Sequence, residues 1–153
     1  MKTTKRYGKK AEGALGLWVK LARAYHTFAH YTAEDIRSSG LTQPQFGALE
    51  SLGHLGSMQI GELCRKQLVS GGNMTVVVDN LEKDGLVERV PHPEDRRAII
   101  VRLTAKGKKL FEDTFPKHAQ YVAKIASVLT EQEQEELSRL LKKLGTGLHQ
   151  ESL

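Results

Sequence analysis

Residues 70–103 read SGGNMTVVVDNLEKDGLVERVPHPEDRRAIIVRL. Met74, Val77, Val78 and Leu81 follow one another at offsets of three, four and seven, which predicts a helix with one apolar side. Ser70 is placed to cap its start, and Gly85 to end it in a left-handed residue. Leu86–Val90 is rich in branched residues and predicts a short strand. Pro91, His92, Pro93, Glu94, Asp95, Arg96 and Arg97 predict a loop, because two prolines remove ladder donors, and Ala98–Leu103 returns as the second strand. Helix, turn and basic hairpin in this order are the layout of a winged helix, a fold suited to duplex DNA.

Outward from this segment the pattern is helical. From Ala11 to Ser38, Leu15, Trp18, Ala22, Tyr25 and Ala29 recur at threes and fours, with Leu21 and Phe28 widening the stripe. After Ser38, Ser39 and Gly40, Thr42 and Gln45 form a capping box with Pro44 in the first turn. Phe46, Leu49 and Leu52 supply the buried side of this second helix, which is expected to stop in the glycine-rich stretch 53–56. A third helix is expected over Gln59–Gln67, with Ile60, Leu63 and Cys64 inward. Beyond the hairpin, Thr104 caps a fifth helix with a kink expected at Pro116. Thr130 and Glu133 form a second capping box, ahead of a last helix with Leu137, Leu140, Leu141, Leu144 and Leu148 in one stripe. The fold class is therefore mainly α with a small β-hairpin wing: a winged helix-turn-helix over residues 42–104, long helices over 11–41 and 105–153, and a flexible tail over 1–10. One copy has few residues to cover three long apolar stripes, so a symmetric homodimer is expected, the alternative being a self-contained bundle of the terminal helices.

Composition sets the outer limits. A chain of 153 residues with 39% hydrophobic content is long enough to bury one core without disulfide or metal, and the single cysteine, Cys64, allows no internal disulfide and suits a reducing cytoplasm. The start, MKTTKRYGKK, lacks a secretion signal's apolar run, and no apolar stretch reaches bilayer length. The net charge of +5 fits a polyanionic partner, yet it is unevenly spread: residues 1–41 carry +5, residues 42–104 carry −1 and residues 105–153 carry +1. Contact with DNA must therefore rest on where particular side chains point. The N-terminal lysines and Arg6 are read as solvated tail, with a DNA-backbone contact as the alternative. No nucleophile elbow, phosphate-binding loop, zinc-protease motif or dinucleotide fingerprint is present, so no enzyme is indicated and no cofactor or metal is called for.

LEKDGLVER followed by HPEDRRAIIVRLTAKGKKL resembles the signature of the MarR family of bacterial winged-helix regulators, in the Asp-Arg-Arg of the wing and the Leu-Thr-x-x-Gly that opens the next helix. The resemblance is specific over residues 59–110. It implies a triangular dimeric repressor that binds pseudo-palindromic operators in double-stranded DNA and is released by small phenolic or other aromatic ligands, or by thiol oxidation. SGGNMTVVVDNLEKDGLV is similar to the branch that responds to quinones and phenols.

The expected DNA contacts are Ser70, Gly71, Gly72, Asn73, Thr75 and Val76 at the start of the recognition helix. Asn73 suits adenine, Thr75 a base or phosphate, and Val76 a thymine methyl, while the glycines either let backbone N–H groups approach phosphate or simply loosen the turn. Arg96 and Arg97 suit an AT-rich minor groove; the family pattern implies that one of them pairs with Asp95 instead. Trp18, Tyr25, His26, His30, Tyr31, His118 and Tyr121 are candidate liners of a ligand pocket, against the plainer reading as core or dimer interface. His26 and His30 have metal-ligand spacing but no further ligand tied to them. Cys64 is read as an inward, inert thiol, with a redox switch as the alternative. A winged helix used for protein association alone keeps the fold and loses the purpose of Asn73, Arg96 and Arg97.

Overall fold

The structure is a computed structural model that describes residues 7–67, 71–94 and 98–150. The elements run α1 (Lys9–Ser38), α2 (Gln43–Leu55), β1 (Met58–Gln59), α3 (Ile60–Gln67), α4 (Gly71–Lys83), β2 (Val87–Pro91), β3 (Ile99–Leu103), α5 (Ala105–Ala126) and α6 (Glu131–Gln150). They fall into two compact units, Met1–His118 and Ala119–Leu153, with α5 passing from one to the other.

In the first unit the buried side chains are Ile36, Leu41, Phe46, Ala48, Leu49, Leu52, Met58, Leu63, Met74, Val77, Val78, Leu81, Leu86, Val87 and Val101. Thus α2, α3 and α4 wrap one core that the sheet closes. All four apolar residues of the α4 stripe are in it, as their spacing predicts. The predicted capping box of α2 forms: the Thr42 N–H donates to Gln45 Oε1 at 2.9 Å, and the Gln45 N–H to Thr42 Oγ1 at 3.4 Å. Gly85 ends α4 at φ +69°, with its N–H donating to the Glu82 carbonyl and the Leu86 N–H to the Leu81 carbonyl. These two bonds make a Schellman motif, which only a residue tolerant of positive φ closes without strain.

The sheet is antiparallel in the order β1-β3-β2, with Val87 opposite Leu103, Arg89 opposite Val101, and Met58 opposite Val101 on the other edge. Sequence periodicity misses β1, since two residues cannot show an alternation. Pro91, assigned to the loop by sequence, is the last residue of β2; it is tolerated because β2 is an edge strand. α2 ends at Leu55, inside the expected stretch, where Gly56 at φ +83° donates its N–H to the Leu52 carbonyl; Gly53 stays within the helix, and the Phe111 ring occupies the space that a side chain there would need. α1 starts at Lys9, so Lys9 and Lys10 are helix rather than tail. α5 runs through Pro116 as one helix, with Glu112, whose carbonyl Pro116 cannot serve, and Pro116 both exposed residues.

Thr104 ties the hairpin to α5. Its hydroxyl donates to the Gly85 carbonyl at 2.7 Å and accepts the Gly107 N–H at 3.1 Å, capping the helix while holding the start of β2. In the second unit the Thr130–Glu133 box caps α6, and Gln134 Nε2 donates to the Ala126 and Leu129 carbonyls. Leu137, Leu140, Leu141 and Leu144 are exposed on α6, as are Leu15, Leu17, Trp18 and Tyr25 on α1, where only Ile36 is fully buried.

Candidate nucleic-acid interface

Burial of Met74, Val77, Val78 and Leu81 fixes which way α4 faces. Gly71, Gly72, Asn73, Thr75 and Val76 are all exposed, on the side turned away from the core, and Asp79 and Asn80 continue that side. Val76 is 57% exposed, unusual for a branched apolar residue in a seated helix. The Thr75 hydroxyl donates to the Gly71 carbonyl at 3.0 Å, so its proton is engaged and its oxygen remains as an acceptor. Gly71 and Gly72 have no positive φ, and among the described residues nothing lies within 4 Å of where a Cβ would stand. Among the described residues, then, nothing requires glycine at either position. Ser70, and at the wing Asp95, Arg96 and Arg97, are outside the described residues.

The approach to α4 is pinned by a polar contact that the sequence does not announce. Gln67, last residue of α3, donates from Nε2 to the Gly47 carbonyl at 2.9 Å and to the Ser51 hydroxyl at 2.8 Å, tying the end of α3 to α2. Arg65 and Lys66 are exposed on the same last turn, where the first helix of a helix-turn-helix crosses a DNA backbone. Lys66 stands 3.8 Å from Glu62, an exposed pair that a phosphate can displace. Apolar periodicity on so short a helix does not single out these cations, because it marks only the buried side.

The hairpin's described arginines are both paired. Arg102 Nε donates to Glu88 Oε1 at 2.8 Å across the strands. Arg89 donates to Asp79 and Glu82 of α4. Desolvation, the largest single influence on this guanidinium, lowers its pKa, but the hydrogen bonds and charges of the two carboxylates outweigh it and hold the pKa above the ordinary arginine value. At the tip, the His92 N–H donates to the Ala98 carbonyl at 2.9 Å, and the Glu94 N–H to His92 Nδ1 at 3.2 Å, so the loop is closed at its base.

The candidate pocket residues are not gathered in one place. Trp18, Tyr25, His26, His30 and Tyr31 are exposed on α1. His30 lies 3.5 Å from Glu34 and edge-on to Tyr31. His118 lines a cavity of about 180 Å³ together with Asp35, Phe46, Thr114 and Lys117, and none of those five α1 residues borders it. There His118 Nδ1 is 2.6 Å from Asp35 Oδ2, and its ring stands edge-on to Phe46 at 4.7 Å. Tyr121 is half-buried in the second unit. Cys64 is half-buried and packed against the core. Among the described residues no group of three or more His, Cys, Asp or Glu is arranged to hold a metal ion, and no helix is long and apolar enough to cross a membrane.

Comparison with known proteins agrees with this geometry. The MarR family model matches residues 41–99, from the start of α2 to the returning strand of the hairpin. The HTH-type transcriptional regulator MhqR of Bacillus subtilis is 36% identical over 139 residues, covering 91% of this chain and 96% of that protein. A mutant of E. coli MarR solved with operator DNA shares 26% identity and a TM-score of 0.77, over 90% of this chain and 99% of that one. Bordetella bronchiseptica BpsR, whose DNA binding is regulated by 6-hydroxynicotinic acid, shares 25% identity and a TM-score of 0.75, over 85% and 98%. With its winged helix and a near full-length relative at this identity, the chain belongs to the MarR family of transcriptional regulators, which are not enzymes.

Proposed function

We propose that this chain is a homodimeric repressor that binds a pseudo-palindromic operator and lets go of it when a small aromatic or phenolic ligand binds. The observation that carries the DNA reading is the exposed side of α4, where Gly71, Gly72, Asn73, Thr75 and Val76 stand clear of a helix whose apolar side is entirely buried. Two exposed glycines, with open space beside each among the described residues, suit close approach of the first helical turn to a phosphate. Arg96 and Arg97 then enter or flank the neighbouring minor groove. The operator complex of E. coli MarR supports this use of the fold.

Pairing of two copies is supported by the apolar side chains that one copy leaves in water on α1 and α6, Leu137, Leu140, Leu141 and Leu144 among them. Release by a ligand is supported by BpsR, and the cavity beside His118 offers a hydrogen-bonding imidazole and an aromatic wall to a phenol. A quinone or phenol is the class we assign. The chain acts in the cytoplasm, where an operator is found. Selection of bound sequences from random duplex DNA, repeated with phenols, quinones and salicylate, tests the whole reading: enrichment of an inverted repeat that a phenol abolishes is expected, and absence of any enriched sequence overturns it. Release by peroxide that persists in Cys64→Ser assigns no redox role to this thiol.

A further inference from the structure

Asp79 is placed awkwardly for a helix that meets DNA. It follows Gly72, Thr75 and Val76 at offsets of seven, four and three, on the same exposed side of α4, and its side chain is 57% exposed. A carboxylate there is held against a polyanion, where like charges repel at short range. Glu82 adds a second negative charge one turn on. Both are held by Arg89, from the middle of β2. Its Nη2 donates to Asp79 Oδ1 at 2.5 Å, its Nη1 donates to Glu82 Oε2, and its backbone N–H donates to Glu82 Oε1 at 3.1 Å.

Two properties of this arrangement go beyond stability, to which exposed ion pairs contribute little. A guanidinium fork that grips two carboxylates on one helix and is itself held through its backbone fixes direction as well as distance. Since Arg89 sits in β2, the fork fixes the angle between β2 and the recognition helix. The same guanidinium also lowers the negative charge that α4 shows to the duplex. We propose that Arg89 is a positioning residue for DNA recognition, clamping β2 to the outer side of α4 and cancelling the charge of Asp79 there. This rests on the DNA-binding reading above.

The test uses the full chain, the duplex that wild-type protein enriches from a random pool, and a scrambled duplex of the same composition, with binding followed by fluorescence anisotropy at several salt concentrations. Arg89→Gln is expected to weaken binding to both duplexes by about tenfold at low salt and by less at high salt, because screening hides the exposed carboxylates. Adding Asp79→Asn restores affinity for the scrambled duplex, while the preference for the selected duplex stays several-fold below wild type. Arg89→Lys, which keeps the charge without the fork, is expected to hold scrambled-duplex affinity and lose preference, and it serves where thermal melting shows Arg89→Gln unfolded. Affinities and preference within about twofold of wild type, or a loss that Asp79→Asn does not relieve, overturn the inference alone. Failure of the wild-type chain to enrich any sequence overturns the DNA-binding reading, and this inference with it.

Discussion

Gly107 in the first turn of α5 lies against the backbone of Leu86, so close that a Cβ on Gly107 would stand 1.9 Å from the Leu86 carbonyl oxygen. That oxygen is committed: it accepts the Thr104 N–H at 3.1 Å. The helix that follows the wing and the residue that opens it are thus joined at backbone level, with no flexible side chain between them to give way.

Gly107→Ala should therefore destabilise the fold even though alanine is the better helix former. The expected loss is about 1–3 kcal/mol, in the range of overpacked interiors, read as a lower urea midpoint. Unchanged stability would mean that α5 and β2 slide apart easily.

Gln67→Leu should cost about 1–3 kcal/mol, because it takes the donor from the buried Ser51 hydroxyl and removes the second bond that the helical Gly47 carbonyl accepts. Gln67→Glu removes the same donor and adds a charge, so it should melt lower still. Both should weaken DNA binding more than their melting temperatures alone suggest, since the contact fixes the entry to α4.

Glu133 offers a test by pH. The Thr130 N–H, and then the Thr130 hydroxyl, donate to its carboxylate and hold its pKa below the usual glutamate value. A folded pKa below the unfolded one stabilises at pH above the unfolded value, and this contribution is lost as pH falls through the folded one. Amide exchange in the first turn of α6 should be faster in Glu133→Ala than in wild type at neutral pH, and the two should converge once pH has fallen through the lowered pKa of Glu133. A difference that persists in acid would rule out the ionised cap.

Leu137→Asp with Leu141→Asp places two charges among the exposed leucines of α6. Sedimentation should give the mass of a pair for wild type and of a single chain for the variant, with helix content of the isolated chain retained. A wild-type protein that sediments as one copy at micromolar concentration would remove the homodimer from the proposed function.

Arg97, outside the described residues, is expected to reach the duplex. Arg97→Ala should weaken operator binding and flatten its log-log salt dependence by about one unit. An unchanged slope would place this arginine away from the phosphates.

Local signals fixed much of this molecule in advance. The three-four-seven offsets of Met74, Val77, Val78 and Leu81 told which side of α4 is buried and, by subtraction, which residues it presents outward. Gly85, Thr42 and Thr130 marked helix ends, because capping is decided within a few residues of the terminus. Asp79 could have been found by the same count of seven from Gly72. The candidate pocket was less legible: aromatic residues at helical spacing on α1 mark a face, and spacing along one helix says nothing about the cavity opposite.

What tertiary structure alone decided are the contacts between residues distant in the chain. The pairing of Met58 with Val101, the Phe111 ring over Gly53, the approach of Gly107 to Leu86 and the grip of Arg89 on Asp79 and Glu82 depend on how elements meet in space. Periodicity records which side of an element is apolar, a property of neighbours along the backbone. Which carboxylate an arginine finds, or which glycine must stay bare, is set by the packing of one finished element on another, and no local pattern encodes it.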